Sequence, residues 1–326
     1  MAHYSLVRSL CALILSIVPG IALSQAFPSH AIRIIVPYAP GGQPDVVARI
    51  VAKQMSSSLG QAITIDNLSG GSGLPAIHTL LAVRPDGYTL IALDAAHWGV
   101  NPMAKPNLSY DPEKSFSPVG LVTTSSLFLA VHESVPANNL AELVALIKQK
   151  PGTYNYGSSG MGSLHHLTME AFKQAAGVDI THIPYRGTGQ SVPALVGGQV
   201  HMLVAGLNTL RPFEKTGRVK ILGANTLAPS PLAPEIPAMS SVAPNLDFPG
   251  EVGLLGPAAM PLEVVQRLAQ ALDEALKAPD VVAALNGAGM EAAPNRMRTP
   301  DGLAKRIHSD RVKYSALIKS AGIKLE

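Results

Sequence analysis

The strongest constraint on the fold is a regular alternation of strand-like and helix-like segments joined by glycine-rich junctions. The run VPYAPGGQPDVVAR, from Val36 to Arg49, contains the first junction, where an apolar strand-like segment gives way to Pro-Gly-Gly and then to a helix. From Asp45 the apolar residues recur at helical spacing until Gly60 ends the pattern. The junction therefore predicts a buried strand followed directly by a helix with one apolar face.

The same alternation continues along most of the chain. Strand-like runs are predicted at 32–36, 63–65, 88–93, 154–156, 180–185, 200–204, 219–223 and 252–255. Helices are predicted at 45–59, 77–81, 140–147, 164–176, 262–277, 281–285 and 302–321, with Asn138 or Asn139 capping the third. Strands that alternate with helices of this length indicate an α/β protein in which each sheet is mostly parallel and flanked by helices.

Two blocks of similar organisation predict two domains. The 326 residues suffice for two domains of ordinary size, and a hydrophobic content of 47% supports a substantial core. We expect a first lobe from residues 27–127 plus 251–326 and a second lobe from residues 128–250. In this division the closing helices pack back on the first lobe, which is then discontinuous in sequence.

Residues 1–26 have the pattern of a secretory signal peptide. Arg8 precedes an apolar run from Leu10 to Leu23, and small residues follow near Ala26, where we expect cleavage. A membrane anchor is the alternative, although Pro19 and Gly20 interrupt a run that is short for a membrane span. The single cysteine, Cys11, lies in this segment, so the exported protein would contain neither a disulfide nor a thiolate site.

The charge pattern argues against nucleic acid as a partner. The formal net charge is only +3, and no run of lysine and arginine is interleaved with aromatic residues. A ligand-sensing transcription factor is a further alternative, but it would need a DNA-reading element and a cytoplasmic location. The predicted export signal favours a periplasmic location instead.

The glycine junctions predict a site for a small anion. Ligands of open α/β sheets lie beyond the carboxyl ends of the strands, where helix N-termini present free backbone N–H groups. The first junction carries Gly41 and Gly42, the second is SGGSG at 69–73, and the third is GSSGMGS at 157–163. For any one junction alone, a tight turn without a ligand is the favoured explanation, but three junctions in matching positions favour binding. Asp45 is either an ordinary acid of a helix's first turn or a group that orients a ligand.

Catalysis is a less favoured function. No G-x-S-x-G elbow, dinucleotide fingerprint or phosphate loop is present. His165 and His166 follow the third junction and could touch a ligand, and His166 has Glu170 at metal-ligand spacing. A hydrolase remains the enzymatic alternative, but we predict no catalytic set, cofactor or metal.

Several motifs together resemble one family. The segments FPSHAIRIIVPYAPGGQPDVVARIVAKQMSSSLGQAITIDNLSGGSG and RPDGYTLIAL are similar to the Bug-type (TctC-like) extracytoplasmic solute receptors of the tripartite tricarboxylate transporters. The later segments KPGTYNYGSSGMGSLHH, AGVDITHIPYRGTG and LVGGQV extend the likeness. It runs from Phe27 nearly to the C-terminus.

The resemblance implies a two-lobed periplasmic-binding fold of the second type. It also implies a monomeric receptor that captures a small aliphatic or aromatic carboxylate between the lobes and delivers it to a membrane permease. A receptor without a transporter, or a periplasmic sensor, is the alternative within this class. The ligand-binding residues expected from the motifs and the resemblance are Tyr38, Gly41, Gly42, Asp45, Gly71, Ser72, Ser158, Ser159, Ser163 and His166.

Three segments depart from the pattern of the family. Ala205-Gly206 stands where many relatives carry an acidic-amide pair, and Glu251-Val252 stands where an aromatic residue is common. The segment NPMAKPNLSYDP, from Asn101, replaces a tyrosine-bearing turn. We expect these departures to bear on the ligand more than on the fold.

Overall fold

The structure is a computed structural model that describes residues 27–104, 108–320 and 322–323, without the side chain of residue 104. The predicted signal peptide lies outside the described residues. Across the described ranges, no helix has the length and apolar character needed to cross a membrane.

Eleven strands form two sheets in the described part of the chain. They are β1 (Ile32–Val36), β2 (Ile63–Asn67), β3 (Thr89–Asp94), β4 (Phe116–Ser125), β5 (Leu127–His132), β6 (Asn155–Ser158), β7 (Thr181–Pro184), β8 (Met202–Gly206), β9 (Val219–Ala224), β10 (Gly250–Pro257) and β11 (Glu291–Ala292). The first sheet has the order β11-β4-β10-β3-β1-β2, and the second has the order β7-β6-β8-β5-β9.

Helices cover the faces of both sheets. They are α1 (Gln43–Leu59), α2 (Leu74–Leu81), α3 (Asn101–Ala104), α4 (Leu140–Gln149), α5 (Leu164–Ala176), α6 (Thr188–Val196), α7 (Leu207–Lys215), α8 (Leu262–Lys277), α9 (Pro279–Gly287) and α10 (Pro300–Ser320), with a π-helical turn at Ala96–Val100. The fold is therefore mixed α/β, as the alternation predicts.

The first junction forms as the sequence pattern predicts. Four of the five residues of β1 are fully buried, and α1 packs its apolar residues Val47, Val51 and Met55 against the same core. Gly41 has a φ of 85°, in the left-handed region that favours glycine, whereas Gly42 is extended and precedes the helix as its N-cap. The turn thus requires glycine at Gly41 for its backbone angle.

Each sheet is mixed, but most of its strands run in one direction as predicted: four of the six described strands of the first sheet and four of the five of the second. In the first sheet β1 pairs in parallel with β2 and β3, but β10 is antiparallel to both β3 and β4, and β11 is antiparallel to β4. In the second sheet β6 pairs in parallel with β7 and β8, but β5 is antiparallel to β8 and β9. The chain leaves the first sheet through β4 and returns to it through β10, and it enters the second sheet through β5 and leaves it through β9. The two strands of each pair are neighbours, so one must run toward the other sheet and the other away from it.

The chain crosses between the sheets twice. Ser126 alone separates β4 from β5, and the connection 225–249 joins β9 to β10. Asn225 is fully buried and ties the crossings together: its side-chain oxygen accepts from the Leu127 N–H at 2.8 Å, and its amide donates to the Phe248 carbonyl at 2.6 Å. One side chain therefore fixes both crossings relative to each other.

The closing helices pack on the first sheet. Leu303 of α10 lies against Gly253 of β10, and Leu272 of α8 lies against Gly120 of β4. The Trp98 indole, which is buried, donates to the Asp310 carboxylate of α10 at 3.0 Å. Side chains from the end of the sequence thus complete a core that the first strands begin.

The cap of α4 gives a test of local structure. The Asn139 side chain accepts from the Glu142 N–H at 2.8 Å, and the Glu142 carboxylate accepts from the Asn138 N–H at 2.7 Å. We expect Asn139→Ala to lower the free energy of unfolding by about 1 kcal/mol, because it leaves a helix N–H without its acceptor. Chemical denaturation should show a smaller loss for Asn138→Ala, and equal losses would contradict the assignment of Asn139 as the cap.

Candidate functional site

A cleft of about 750 Å³ lies between the two sheets. From the first sheet and its junctions it is lined by Tyr38, Gly41, Gln43, Asp94, Ala95 and Ala96. From the second sheet and its helices it is lined by Ser159, Ser163, His165, Thr188, Asn208 and Thr209. Its volume suits a small organic molecule.

Four helices begin at the cleft. They are α1, α5, α6 and α7, and residues of the first turn or N-cap of each line the cleft wall. Helix N-termini carry backbone N–H groups without intrahelical acceptors and the positive end of the helix dipole. The shared wall is therefore rich in neutral donors that can bind an anionic group.

Four of the residues predicted to bind a ligand line this cleft. They are Tyr38 and Gly41 at the first junction and Ser159 and Ser163 at the third. Ser163 also caps α5, where its hydroxyl oxygen accepts from the His166 N–H at 3.2 Å, and it donates to the Gly160 carbonyl at 2.7 Å. These four residues remain predicted ligand contacts.

Gly42 and Asp45 lie behind the cleft wall. The Asp45 carboxylate is buried and accepts hydrogen bonds from the Gly41 N–H, the Arg49 guanidinium and the Asn67 amide at 2.9–3.0 Å. Burial raises the pKa of Asp45, but the bonds from Arg49, Gly41 and Asn67 outweigh it and hold the pKa below its ordinary value. Asp45 thus stabilises the turn that presents Gly41.

The second junction lines a separate cavity. Ser72 borders a smaller cavity of about 340 Å³, and Tyr38 and Ala96 border both this cavity and the main cleft. Gly71 starts the short 3₁₀ turn Gly71–Gly73 behind it. The second junction thus lies at a neighbouring cavity, which shares Tyr38 and Ala96 with the main cleft.

Ser158 and His166 are buried behind the third junction. The Ser158 hydroxyl lies 2.7 Å from Nε2 of His182, and the rings of His166 and His182 stack with centroids 4.1 Å apart. Nδ1 of His166 accepts from the Gly162 N–H at 3.0 Å. These residues pack and orient the loop that carries Ser159 and Gly162 to the cleft.

The buried histidines His165 and His182 predict that the protein is less stable in acid. Burial lowers the pKa of His182 and of His165 to about 4, with the neighbouring His166 adding to the effect at His182. An unfolded histidine has a pKa near 6.5. As the pH falls from about 6.5 to about 4, the unfolded chain binds protons that the folded chain does not, so the free energy of unfolding decreases.

The test is to measure urea denaturation at pH 7.0, 5.5 and 4.5 for the wild type, His182→Gln and the exposed-site control His308→Gln. We expect the stability of His182→Gln to vary less with pH than that of the other two proteins. Parallel curves for all three would refute the role of His182.

Sequence reasoning missed an acidic group in the cleft wall. The Asp94 carboxylate accepts from the Tyr38 hydroxyl at 2.5 Å, from Nδ1 of His97 at 2.7 Å and from the Ala96 N–H at 3.1 Å. Burial alone raises its pKa, but the charge and hydrogen bond of His97 and the bond from Tyr38 outweigh burial and lower the pKa. Tyr38 and Asp94 are 56 positions apart, so no local motif indicates the pair.

Glu251 is a second acid that lines the cleft. It is the second residue of β10, beside the chain crossing, and its carboxylate accepts from the Arg306 guanidinium at 2.9 Å. Burial and the neighbouring Asp310 raise the pKa of Glu251 well above its ordinary value. Among the positions expected to depart from the resembled pattern, Gly206 and Glu251 line the cleft, whereas Ala205 is buried.

The cleft contains no cationic side chain at neutral pH among the described residues that line it. Its one histidine, His165, is neutral because burial lowers the pKa to about 4, and its Nδ1 lies 2.8 Å from the Ser159 hydroxyl. A bound anion would therefore be held by backbone N–H groups, hydroxyls and amides, without a charged partner.

Known proteins resemble this chain in sequence and in fold. The chain is 33% identical over 292 residues to a UPF0065 protein of Bordetella pertussis, covering 89% of this chain and 90% of that protein. The periplasmic binding protein BugD is 27% identical with a TM-score of 0.72, covering 91% of this chain and 99% of BugD. MatC from Rhodopseudomonas palustris with bound malate is 29% identical with a TM-score of 0.71, covering 90% of this chain and 100% of MatC.

These likenesses confirm the two-sheet periplasmic-binding fold. The model of the tripartite tricarboxylate transporter family receptor matches residues 47–323. The match spans most of both sheets and the third junction, and it begins within α1, after the first junction. The chain therefore belongs to the TctC family, the receptors of the tripartite tricarboxylate transporters.

Proposed function

We propose that this protein is a periplasmic receptor that binds a small organic carboxylate in the cleft between its two sheets. The observation that carries the proposal is the convergence of four helix N-termini on one cleft whose described lining contains no lysine or arginine. Such a wall binds a carboxylate through neutral donors. The malate in the related MatC structure supports this ligand class.

We infer two lobes, one from residues 27–127 plus 251–326 and the other from residues 128–250. The two sheets support this division to within one residue, since β5 begins at Leu127 and β10 at Gly250. Tyr38, Gly41 and Gln43 would contact the ligand from the first lobe, and Ser159, Ser163 and Thr188 from the second. Only a ligand that contacts both lobes stabilises the closed arrangement, which gives closure its selectivity. Motion would occur at Ser126 and the connection 225–249, where the chain crosses.

Export and delivery complete the proposal. Residues 1–26 direct the chain to the periplasm and are removed near Ala26, and the monomeric receptor hands its ligand to a permease of the transporter. Catalysis is not part of this function. The Ser159–His165 pair resembles a nucleophile and base, but a histidine pKa of about 4 makes His165 a poor base near neutral pH.

Ligand binding to residues 27–326 tests the proposal. Native mass spectrometry identifies any small molecule that copurifies, and calorimetry then measures binding of malate, adipate and benzoate. We expect a one-to-one complex with at least one carboxylic acid. A folded protein that copurifies with no acid and gives no heat with any of them would refute the receptor function.

A further inference from the structure

The charge of the cleft wall bears on which carboxylic acids fit. Asp94 ends β3, lines the cleft, and leaves 23% of its side chain exposed. Its pKa is lowered, so the carboxylate is ionised at neutral pH. His165 is neutral, no lysine or arginine lines the cleft among the described residues, and His97, the partner of Asp94, is not among the lining residues; Asp94 therefore gives the wall a negative side-chain charge.

The contacts of Asp94 leave room for one more donor. A carboxylate has about four acceptor positions. Tyr38, His97 and the Ala96 N–H occupy three of them. The remaining position belongs to a partly exposed side chain in the cleft, so a bound ligand can fill it.

Tyr38 adds to this acceptor. Because the Tyr38 hydroxyl donates its proton to Asp94, its oxygen can still accept a hydrogen bond from a donor on the ligand. Tyr38 also lines the cleft, and a tyrosine ring attracts a cation that lies over its face. Asp94 and Tyr38 together therefore form an acceptor site for a positively charged group.

We propose that the cleft selects small carboxylic acids that also carry an ammonium group, and that Asp94 and Tyr38 bind this ammonium. The inference rests on the proposed receptor function, in which the carboxylate meets the helix N-termini. An acid with an amino group then places its carboxylate at the helix N-termini and its ammonium group beside Asp94 and Tyr38. A plain dicarboxylate would bring a second negative charge into a cleft that already contains ionised Asp94.

The test compares acids that differ only by an amino group. Calorimetry at pH 7.0 on residues 27–326 would use succinate against aspartate, adipate against 2-aminoadipate, and 3-phenylpropionate against phenylalanine. We expect the amino member of at least one pair to bind about tenfold more tightly or better. Asp94→Asn should reduce that preference, whereas the exposed-site control Asp280→Asn should leave it unchanged.

The outcomes separate the two proposals. Plain acids that bind as tightly as their amino analogues would overturn the inference while the receptor function stands. A preference for the amino acid that survives unchanged in Asp94→Asn would overturn the role of Asp94. Binding by no member of any pair would overturn the inference, and the absence of binding by malate, adipate and benzoate as well would refute the receptor function. If Asp94→Asn does not fold, the wild-type comparison still decides the selectivity and Tyr38→Phe tests the acceptor site.

Discussion

Arg306→Met is expected to lower the free energy of unfolding by about 3–5 kcal/mol. Arg306 lies on α10 with only 11% of its side chain exposed. Its guanidinium faces three carboxylates: Glu251 at 2.9 Å, Asp310 at 3.1 Å and Asp247 at 3.3 Å. Methionine fills similar space but removes the cation that these carboxylates share.

The expected loss is large because the acids are buried. The side chains of Glu251 and Asp310 are 1% and 0% exposed. Oδ1 of Asp310 has no partner with hydrogen-bond geometry among the described residues and depends on the nearby charges of Arg306 and of Lys313, whose Nζ is 3.3 Å away. Without Arg306 the buried carboxylates must bind protons or admit water, and both cost free energy.

Urea denaturation of Arg306→Met and of the matched control Arg311→Met measures this effect. Arg311 lies on the same helix with 31% of its side chain exposed, and it pairs with Glu113 at 2.7 Å. An exposed pair of this kind contributes about 1 kcal/mol or less. The double variant Arg306→Met/Glu251→Gln should recover part of the loss, because it also removes one uncompensated acid. Similar losses for the two arginines would contradict the argument.

Thr209→Trp is expected to weaken ligand binding by at least about a hundredfold, which is about 2.7 kcal/mol. Thr209 lies in the first turn of α7, where it is exposed and lines the cleft. An indole at this position occupies space that the ligand needs and separates the two sides of the cleft. Because the position is exposed, the fold should be retained.

Thr216→Trp is the matched control. Thr216 is the C-cap of the same helix and is also exposed, but it lies at the end away from the cleft. Calorimetry with whichever carboxylate the wild type binds should show normal affinity for Thr216→Trp, and circular dichroism should show that both variants are folded. Unchanged affinity in Thr209→Trp would place the ligand outside this cleft.

Local patterns predicted most of the elements but missed several. The helices α6 and α7 were not predicted, since each contains an internal proline, Pro193 or Pro212, and spans only nine residues. The strands β4 and β5 were also missed, although their residues are largely buried. Their pairing partners come from distant parts of the chain, such as β10 for β4 and β8 for β5.

The candidate site was also predicted only in part, because a local motif does not determine which side chains face the cleft. A glycine junction predicts where a helix begins, and Gly41 and Ser163 do lie at helix starts that border the cleft. It does not predict which of two adjacent hydroxyls faces the ligand. Ser159 lines the cleft, while Ser158 points back to His182 on a neighbouring strand.

The sequence by itself determined the α/β character, the glycine-rich helix starts and the family, because these depend on local spacing and motifs. Only the tertiary structure decided the mixed direction of the strands, the placement of Asp94 beside Tyr38 and the buried charges around Arg306. Tyr38 and Asp94 are 56 positions apart, and Glu251 and Arg306 are 55 apart. Contacts at that separation depend on sheet order and on the return of α10, which no local pattern encodes.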